Sequence, residues 1–333
     1  MPTLPLLADP ANPNASHRVV SPGGYEAWHF DASSDDGKLH VVAALHEAWA
    51  FDPAYLRKYA WYRRFPTRVV PPNPPDFPAV TFLLCEQGRA SVRFIARARG
   101  RSSDEVRTSD DGRSIRIAAS HAERAGDGSV RLHLRGTDRL RTIAANLTFR
   151  PVIGGAGGAG REVTLIDSPA SLGLHRWVIV DPLCEVEGEV SIFEPSGGQP
   201  RTVSFAGAGI HDHRYGTRPA VATDWFGGRV LLDDRALAFE QVGAGDAAAT
   251  TIVSAGKDQL DVSRAARARR DVDSGDGGDG GGDVNIGMIH LSRPRALESD
   301  RYQTLLAYDA RVGGESGVAL CRKIHRVRWI PTT

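Results

Sequence analysis

Two histidines flank a carboxylate in the stretch of this 333-residue sequence best suited to chemistry, His211-Asp212-His213. Imidazole and carboxyl groups are common carriers of protons in enzymes, and two imidazoles can also chelate a metal ion. In an extended strand, successive side chains point to opposite faces, so His211 and His213 share one face and Asp212 takes the other. Only one of these sets faces a given pocket unless a β-bulge re-aims the chain.

The surrounding segment, Phe205–Pro219, adds a tyrosine, two arginines and three glycines that let the backbone approach a ligand closely. Two interpretations remain open for it. Asp212 is the acid of an active site, or an arginine such as Arg214, Arg218 or Arg229 pairs with it and the network only holds the strand.

Other features of the sequence do not favour a metal or cofactor site. Zinc sites usually need a third protein ligand, and none stands at a recognisable spacing from the two histidines. The glycine-rich run 154–160 lacks the strand and helix of a dinucleotide fingerprint, so it predicts a linker. The acidic run 271–283 fits no EF-hand and predicts a hairpin loop. Cys85, Cys184 and Cys321 are far apart, which indicates reduced thiols.

Charge and hydropathy narrow the range of partners. The net charge is +1, from 41 basic and 40 acidic residues, which gives no reason to expect a nucleic-acid partner. Residues 1–18 lack the basic and apolar regions of a signal peptide, and no run reaches the ~18 apolar residues of a membrane span. We therefore expect a cytoplasmic protein with an apolar small-molecule partner and no obligate protein partner, and leave a peripheral membrane contact open.

The elements that must position these residues are mostly strands. Residues 25–31 and 39–45 predict a hairpin, and period-two alternation continues through residues 92–97 and 130–135. Asp52 followed by Pro53 predicts the N-terminus of a helix over residues 53–65. Three tyrosines at helical spacing predict a core or lid contact on that helix: Tyr55, Tyr59 and Tyr62.

A second strand-rich half follows the glycine-rich run. Its predicted strands cover residues 177–180, 190–193, 235–242, 250–254, 284–291, 302–308 and 318–329. The chain is therefore predicted to be all-β, with two consecutive barrel or sandwich domains. The expected boundaries are a lead-in over 1–20, a first domain over 21–160 and a second over 161–333, meeting near residues 153–175.

The motif Gly-x-x-His-Asp-His-x-x-Gly-Thr-Arg-Pro within Phe205–Pro219 resembles the carotenoid 1,2-hydratase (hydroxyneurosporene synthase) family. That family belongs to a lipocalin-like group that also includes fungal Diels–Alderases. Weaker similarities occur in three further stretches, residues 25–31, 51–56 and 224–229. The similarity spans residues 20 to 240, and we expect it to extend over the whole chain.

The resemblance implies two lipocalin-like β domains and cofactor-independent hydration of a terminal isoprenoid double bond. The family's proposed proton donor falls on Asp212, and its upstream His-x-Trp pair falls on His175 and Trp177. Ile210 stands where the family carries a tyrosine, and Tyr215 stands where many members carry a tryptophan.

Protonating an alkene needs a carboxylic acid that burial keeps protonated, aromatic faces for the cation, and a base for water capture. Asp212 is the candidate acid, and the candidate bases are His211, His213 and His175. We expect four aromatic residues to line one apolar cavity: Trp28, Trp177, Tyr215 and Trp225. Ile210 and Arg229 complete the predicted substrate-binding set.

Two other function classes remain open from the sequence. One is a non-catalytic lipocalin-like binder of a lipid or pigment, and the other is a pericyclase-like enzyme that shapes a reactive polyene. A lyase or cyclase needs Asp212 as an acid, whereas a binder or pericyclase needs mainly the shape of its pocket.

Overall fold

The computed structural model describes residues 14–98, 105–152, 161–168, 173–217, 225–232, 235–242, 249–256, 259–265, 269–270 and 283–325. Within these ranges it contains one α-helix, one 3-10 helical turn at Pro74–Asp76 and two antiparallel sheets. The predicted all-β class is therefore confirmed. The predicted linker 154–160 lies outside the described residues, as does the predicted acidic loop apart from the exposed Asp283.

The first sheet contains twelve strands among the described residues. They are β1 (Tyr25–Ser34), β2 (Leu39–Ala48), β3 (Ala79–Glu86), β4 (Arg89–Arg97), β5 (Val106–Thr108), β6 (Ser114–Ile117), β7 (Ser120–Arg124), β8 (Val130–Asp138), β9 (Arg141–Pro151), β10 (Arg161–Ser168), β11 (Gly173–Phe193) and β12 (Arg201–Gly216). Their order is β4-β3-β2-β1-β12-β11-β9-β8-β7-β6-β5, and β10 pairs with β11. The pairing of β1 with β12 joins the beginning of this unit to its end.

The second sheet contains nine strands in the described part of the chain. They are β13 (Trp225–Leu231), β14 (Arg235–Val242), β15 (Ala249–Gly256), β16 (Gln259–Ala265), β17 (Arg269–Arg270), β18 (Val284–Ile286), β19 (Ile289–Ser299), β20 (Gln303–Val312) and β21 (Glu315–Ile324). Their order is β16-β15-β14-β13-β21-β20-β19-β18-β17. This sheet buries its own apolar cluster, which includes Phe239, Ile286 and Leu291.

The chain divides into two compact units, but not at the predicted position. The first unit holds the described residues up to 217 except 85–90, and the second holds those from 225 onward together with 85–90. The predicted boundary between residues 160 and 161 is wrong because β11 pairs with β9 and β12 pairs with β1. Strands β10 to β12 therefore complete the first sheet.

A single long strand replaces two predicted ones. The segments 177–180 and 190–193 both belong to β11, which is 21 residues long. Pro182 and Gly188, which stand between the segments, do not end the strand. The register shifts between Asp181 and Cys184 to accommodate the proline, and Gly188 adopts a φ of +148°.

Alternation along the strands builds the core of the first unit. Val92 and Phe94 of β4 are buried together with Val130, Leu132 and Leu134 of β8, as the period-two patterns predict. The buried side of β1 contributes to the same apolar cluster, and this core lies directly beside the candidate site.

The helix α1 (Pro53–Arg64) forms as its capping signals predict. The Oδ1 of Asp52 accepts hydrogen bonds from the backbone N–H groups of Ala54 at 2.7 Å and Tyr55 at 3.1 Å. Tyr55 and Tyr59 are buried, and the Tyr55 hydroxyl donates to the carbonyl of Gly24 at 2.8 Å. Tyr55 and Tyr59 are thus core contacts of the first unit, whereas Tyr62 is half-buried.

Substitution of Gly188 tests how closely β11 and β9 approach each other. A Cβ at this position would lie 2.0 Å from the carbonyl oxygen of Asn146, on a backbone with positive φ. Gly188→Ala should therefore destabilise the protein by about 1–3 kcal/mol or more, measured by chemical denaturation. Gly126→Ala is the matched control, because an added Cβ there meets nothing within 4 Å. Equal stability of the two variants would contradict the close approach.

Candidate functional site

The candidate site is built on β12, which lies between β1 and β11 in the first sheet. Trp28 of β1 stands opposite His213, and His29 of β1 stands opposite Asp212. Opposed residues in antiparallel strands share a face, so alternation sends His211 and His213 to one side and Asp212 to the other. We call these two sides the His211 face and the Asp212 face.

On the Asp212 face, a fully buried carboxylate is surrounded by hydrogen-bond donors. The Trp177 indole Nε1 donates to Asp212 Oδ2 at 3.0 Å. Arg214, two residues along the same strand, donates from Nε to Oδ1 and from Nη2 to Oδ2, both at 3.1 Å. The guanidinium also lies 5.5 Å from the centre of the Trp177 ring. Bidentate pairing with arginine is the arrangement of an ionised carboxylate.

His175 lies on the same face of β11 as Trp177 and is also buried. Its Nδ1 is 3.2 Å from the Tyr25 hydroxyl. Gly216 makes room for this pair, because a Cβ there would lie 2.7 Å from the Tyr25 ring and 2.9 Å from His175 Nδ1. Ile210 is buried opposite Asp31 on β1, so an apolar side chain occupies the position where the resemblance implies a tyrosine.

On the His211 face, a histidine and a carboxylate form a buried pair. His211 Nδ1 is 2.9 Å from Asp181 Oδ2, and Arg124 forms a salt bridge with the same carboxylate. Burial lowers the pKa of His211, while burial of Asp181 is outweighed by His211 and Arg124, which lower the pKa of Asp181. The ring is therefore neutral, with Nδ1–H donating to an ionised Asp181.

Asp181 reaches this face through a bulge that the sequence did not reveal. The register of β11 against β12 shifts on both sides of Asp181, which places it opposite His211. The one feature of the sequence that could have indicated this bulge is Asp181 itself, a charged residue followed by Pro182 inside an otherwise apolar segment.

His211 also borders a small cavity. The Nε2 of His211 is buried and has no hydrogen-bond partner among the described residues, and Phe30 stacks on the ring with centroids 4.3 Å apart. Trp28, Phe30 and Asn14 line the cavity with His211, and its volume of 10 Å³ is about that of one water molecule. This pair thus has the arrangement of a general base with its lone pair in a largely apolar space.

His213 belongs to a second buried network on the same face. Its Nε2 lies 3.1 Å from Glu26 Oε1, and His17 Nδ1 lies 3.3 Å from the same oxygen. Burial alone would raise the pKa of Glu26, but hydrogen bonds from His17 and His213 hold it at about 2. Neither Glu26 nor His17 was a predicted site residue, and His17 falls within the predicted irregular lead-in.

Two predicted residues, Trp225 and Arg229, lie on β13 of the second unit. Both are buried, and the Trp225 indole donates a hydrogen bond to the buried Glu240. Trp225 and Arg229 lie on the same face of β13, because they are four residues apart in an extended strand. Glu240, which was not a predicted site residue, lies on this face as well.

The expectation that four aromatic residues line one cavity is wrong. Trp28 and Tyr215 lie on the His211 face, whereas Trp177 lies on the Asp212 face of the same sheet. The pairing register of the strands decides on which face each aromatic side chain lies, because a shift by one residue moves it to the other face. The sequence does not reveal this register. Trp225 belongs to the second unit.

Comparison with known proteins shows similarity in sequence and in fold. No family model matches the chain. The chain is 30% identical over 226 residues to a hydroxyneurosporene dehydrogenase from Chlorobaculum tepidum, covering 65% of this chain and 56% of that protein. The chain thus spans little more than half the length of this relative.

Two solved structures share the fold. A protein from Nitrosomonas europaea assigned as AttH matches with a TM-score of 0.60 at 14% identity, over 98% of this chain and all of the other. CghA in complex with Sch210972 matches with a TM-score of 0.56 at 12% identity, over 92% of this chain and 89% of the other.

The fold defines the class, an all-β protein with two lipocalin-like units. The resemblance that the His-Asp-His motif indicated is confirmed by the match to the Chlorobaculum tepidum protein and by the fold shared with AttH and CghA. Among the described residues, no helix has both the length and the apolar character needed to cross a membrane.

Asp181→Asn tests the buried pair with His211. The pKa of Asp181 is lowered from 3.8 in the folded state, so its contribution to stability is present above about pH 3.8 and is lost at lower pH. The variant should lose about 3–5 kcal/mol at neutral pH because Arg124 loses its partner charge. Denaturation curves should show this deficit shrinking as the pH falls below about 3.8 and through the lowered pKa of the wild-type carboxylate.

Asp309→Asn serves as the control for that experiment. Asp309 pairs with Arg295 at the surface, with both side chains more than a third exposed. Its replacement should change stability by no more than ~1 kcal/mol at any pH. A deficit of Asp181→Asn that does not vary with pH would contradict the ionised pair.

Proposed function

We propose that this protein is a cofactor-independent enzyme that protonates a terminal carbon–carbon double bond of an apolar isoprenoid and hydrates or cyclises it. The observation that carries the proposal is the hydrogen bond from Trp177 to the fully buried Asp212. It brings together the carboxylate and the indole that the sequence motif implies as acid and substrate contact. The name of the Chlorobaculum tepidum relative supports an isoprenoid as the substrate class.

The proposed reaction adds one water to one alkene. Asp212 transfers its proton to the less substituted carbon of the double bond, the double bond's electron pair forms the new C–H bond, and a tertiary cation remains on the more substituted carbon. The Trp177 ring stabilises this cation. Water attacks the cation and gives up a proton to a base, and re-protonation of Asp212 restores the acid, so that one water is added in total. Cyclisation follows the same first step, with a second double bond as the nucleophile.

His175 is the base best placed for water capture, because it shares the Asp212 face with Trp177. His211 and His213 point to the opposite side of the sheet. The hydration proposal therefore assigns water capture to His175 and leaves His211 and His213 outside this acid–base set.

Arg214 sets the condition that the proposal must meet. Its two hydrogen bonds favour the ionised form of Asp212, and a proton donor must carry the proton instead. The Arg214 side chain is 11% exposed, whereas the Asp212 side chain is not exposed at all. We propose that substrate binding displaces the guanidinium and leaves the carboxyl group in an apolar environment, which favours its protonated form.

The ion pair also favours a second candidate function. A carboxylate that stays paired with Arg214 holds β12 in place and supplies no proton, as in a non-catalytic binder or a pericyclase-like enzyme. The fold shared with CghA, solved in complex with Sch210972, is compatible with this alternative. One variant series at Asp212 and Arg214 separates the two functions.

Asp212→Asn should abolish hydration of an acyclic terpenoid carrying a terminal isopropylidene group. Loss of a general acid lowers turnover by about 100- to 10,000-fold. The assay is incorporation of isotopically labelled water into the product, detected by mass spectrometry, with the melting temperature measured on the same preparation. Asp138→Asn is the control, since it removes a different Asp–Arg pair, with Arg141, from the first unit.

The double variant Asp212→Asn/Arg214→Gln guards against a purely structural explanation. It removes both charges together, so no unpaired guanidinium remains buried. If the double variant recovers stability but stays inactive, Asp212 is the acid. If Asp212→Asn keeps full turnover, or if the wild type binds the terpenoid without converting it, the hydration proposal fails and the binder is favoured.

A further inference from the structure

Three potential metal ligands, two from the N-terminal part of the sequence and one from β12, converge on the His211 face. They are His17 Nδ1, Glu26 Oε1 and His213 Nε2, and all three ligand atoms lie within 4.8 Å of one another. His17 precedes β1, Glu26 lies on β1 and His213 lies on β12. We call these three residues the His17 cluster.

Two of the three separations between these atoms match a metal coordination sphere. Glu26 Oε1 is 3.3 Å from His17 Nδ1 and 3.1 Å from His213 Nε2. Ligand atoms about 2.0–2.2 Å from a zinc ion are separated from each other by about 3.0–3.5 Å in tetrahedral or octahedral geometry. Two imidazoles and one carboxylate are also a donor set that first-row divalent metals favour.

We propose that the His17 cluster binds one divalent first-row metal ion, with zinc as the reference ion. The sequence predicted no metal because no third ligand stands at a recognisable spacing from the candidate chelating pair His211 and His213. In the structure these residues separate, since His211 pairs with Asp181 while His213 joins two ligands from the N-terminal part of the chain.

Neighbouring groups hold the ligands in place before any metal binds. Trp28 stacks on the His213 ring with an interplanar angle of 8°, and Tyr215 stacks on the His17 ring at 15°. The backbone N–H of His17 donates to Glu26 Oε1 at 2.6 Å. The side chains of the three ligands are at most 2% exposed, so little rotamer freedom remains to be lost on binding.

One of the ligands, His17, also lines a cavity, and we place the open coordination position on that side. This cavity has a volume of about 560 Å³, and Ser16, His17, Arg18 and Glu47 are among the residues that line it. Three protein ligands with a fourth position open to a cavity define a catalytic rather than a structural zinc site. A water or an oxygen atom of a small polar ligand would complete the coordination.

The alternative is a hydrogen-bonded network without metal. In that case both imidazoles donate N–H groups to Glu26, whereas in the metal site both present lone pairs to the ion. The two arrangements differ in metal stoichiometry and in spectroscopy. The inference does not depend on the proposed hydration, because the cluster lies on the face of β12 opposite Asp212.

The test uses the full-length protein, stripped of metal with a chelator and titrated with cobalt(II) as a spectroscopic substitute for zinc. We expect one equivalent to bind with the d–d absorption of a low-symmetry site that includes histidine, and zinc to displace it. His17→Ala should weaken cobalt binding at least 100-fold. Glu26→Gln should weaken cobalt binding by a similar factor. X-ray absorption of the wild-type cobalt complex should show imidazole scattering, and this measurement remains informative if a buried variant fails to fold.

His121→Ala is the control for adventitious binding. His121 and His133 lie 5.2 Å apart between ring centroids, at a less buried position where a metal ion could bind non-specifically. The variant should bind cobalt like the wild type. Absence of stoichiometric binding, or binding that His121→Ala removes and His17→Ala leaves intact, would overturn the proposal.

Discussion

The pairing of β12 with β1 on one side and β11 on the other is the constraint on which the rest of the first unit depends. Because side chains alternate, this register decides which residue of each strand meets which partner. It places Asp212 with Trp177 on one face and His211 with Asp181 on the other. A one-residue slip of β12 would exchange these faces and break one hydrogen bond of each of three buried carboxylates: Asp212 to Trp177, Asp181 to His211 and Glu26 to His213.

Hydrogen bonds from protein donors offset the cost of burying the charge of each of these three carboxylates. Asp212, Asp181 and Glu26 are all buried, and an isolated buried charge is very costly. Each accepts hydrogen bonds from an arginine, an indole or an imidazole. Such networks contribute less to stability than an apolar core of equal volume, although removing one partner is strongly destabilising. Polar residues at this density inside an apolar unit are therefore better explained by chemistry than by stability.

Local patterns in the sequence predicted the fold class, the helix at Pro53 and the opposite orientations of Asp212 and its flanking histidines. These features depend on alternation and capping within a few residues. The partners Glu26, Asp181 and His17 were not predictable, because strand pairing brings them from far along the chain. The prediction of one shared cavity was wrong for the same reason, since the pairing register of the strands decides which face of the sheet Trp28 and Trp177 occupy. The boundary at 160/161 failed because a glycine-rich composition does not show which sheet the next strands join.

The pairing of β1 with β12 also imposes an order on biosynthesis. Glu26 and His213 are 187 residues apart in sequence, so β1 leaves the ribosome long before its partner strand exists. At roughly 5–20 residues per second, that interval lasts on the order of 10–40 seconds. During this time one edge of β1, which carries Trp28 and Phe30, is open to incorrect strand pairing. The first unit therefore matures late in translation, and chaperone protection of the nascent chain would matter most for its N-terminal hairpin.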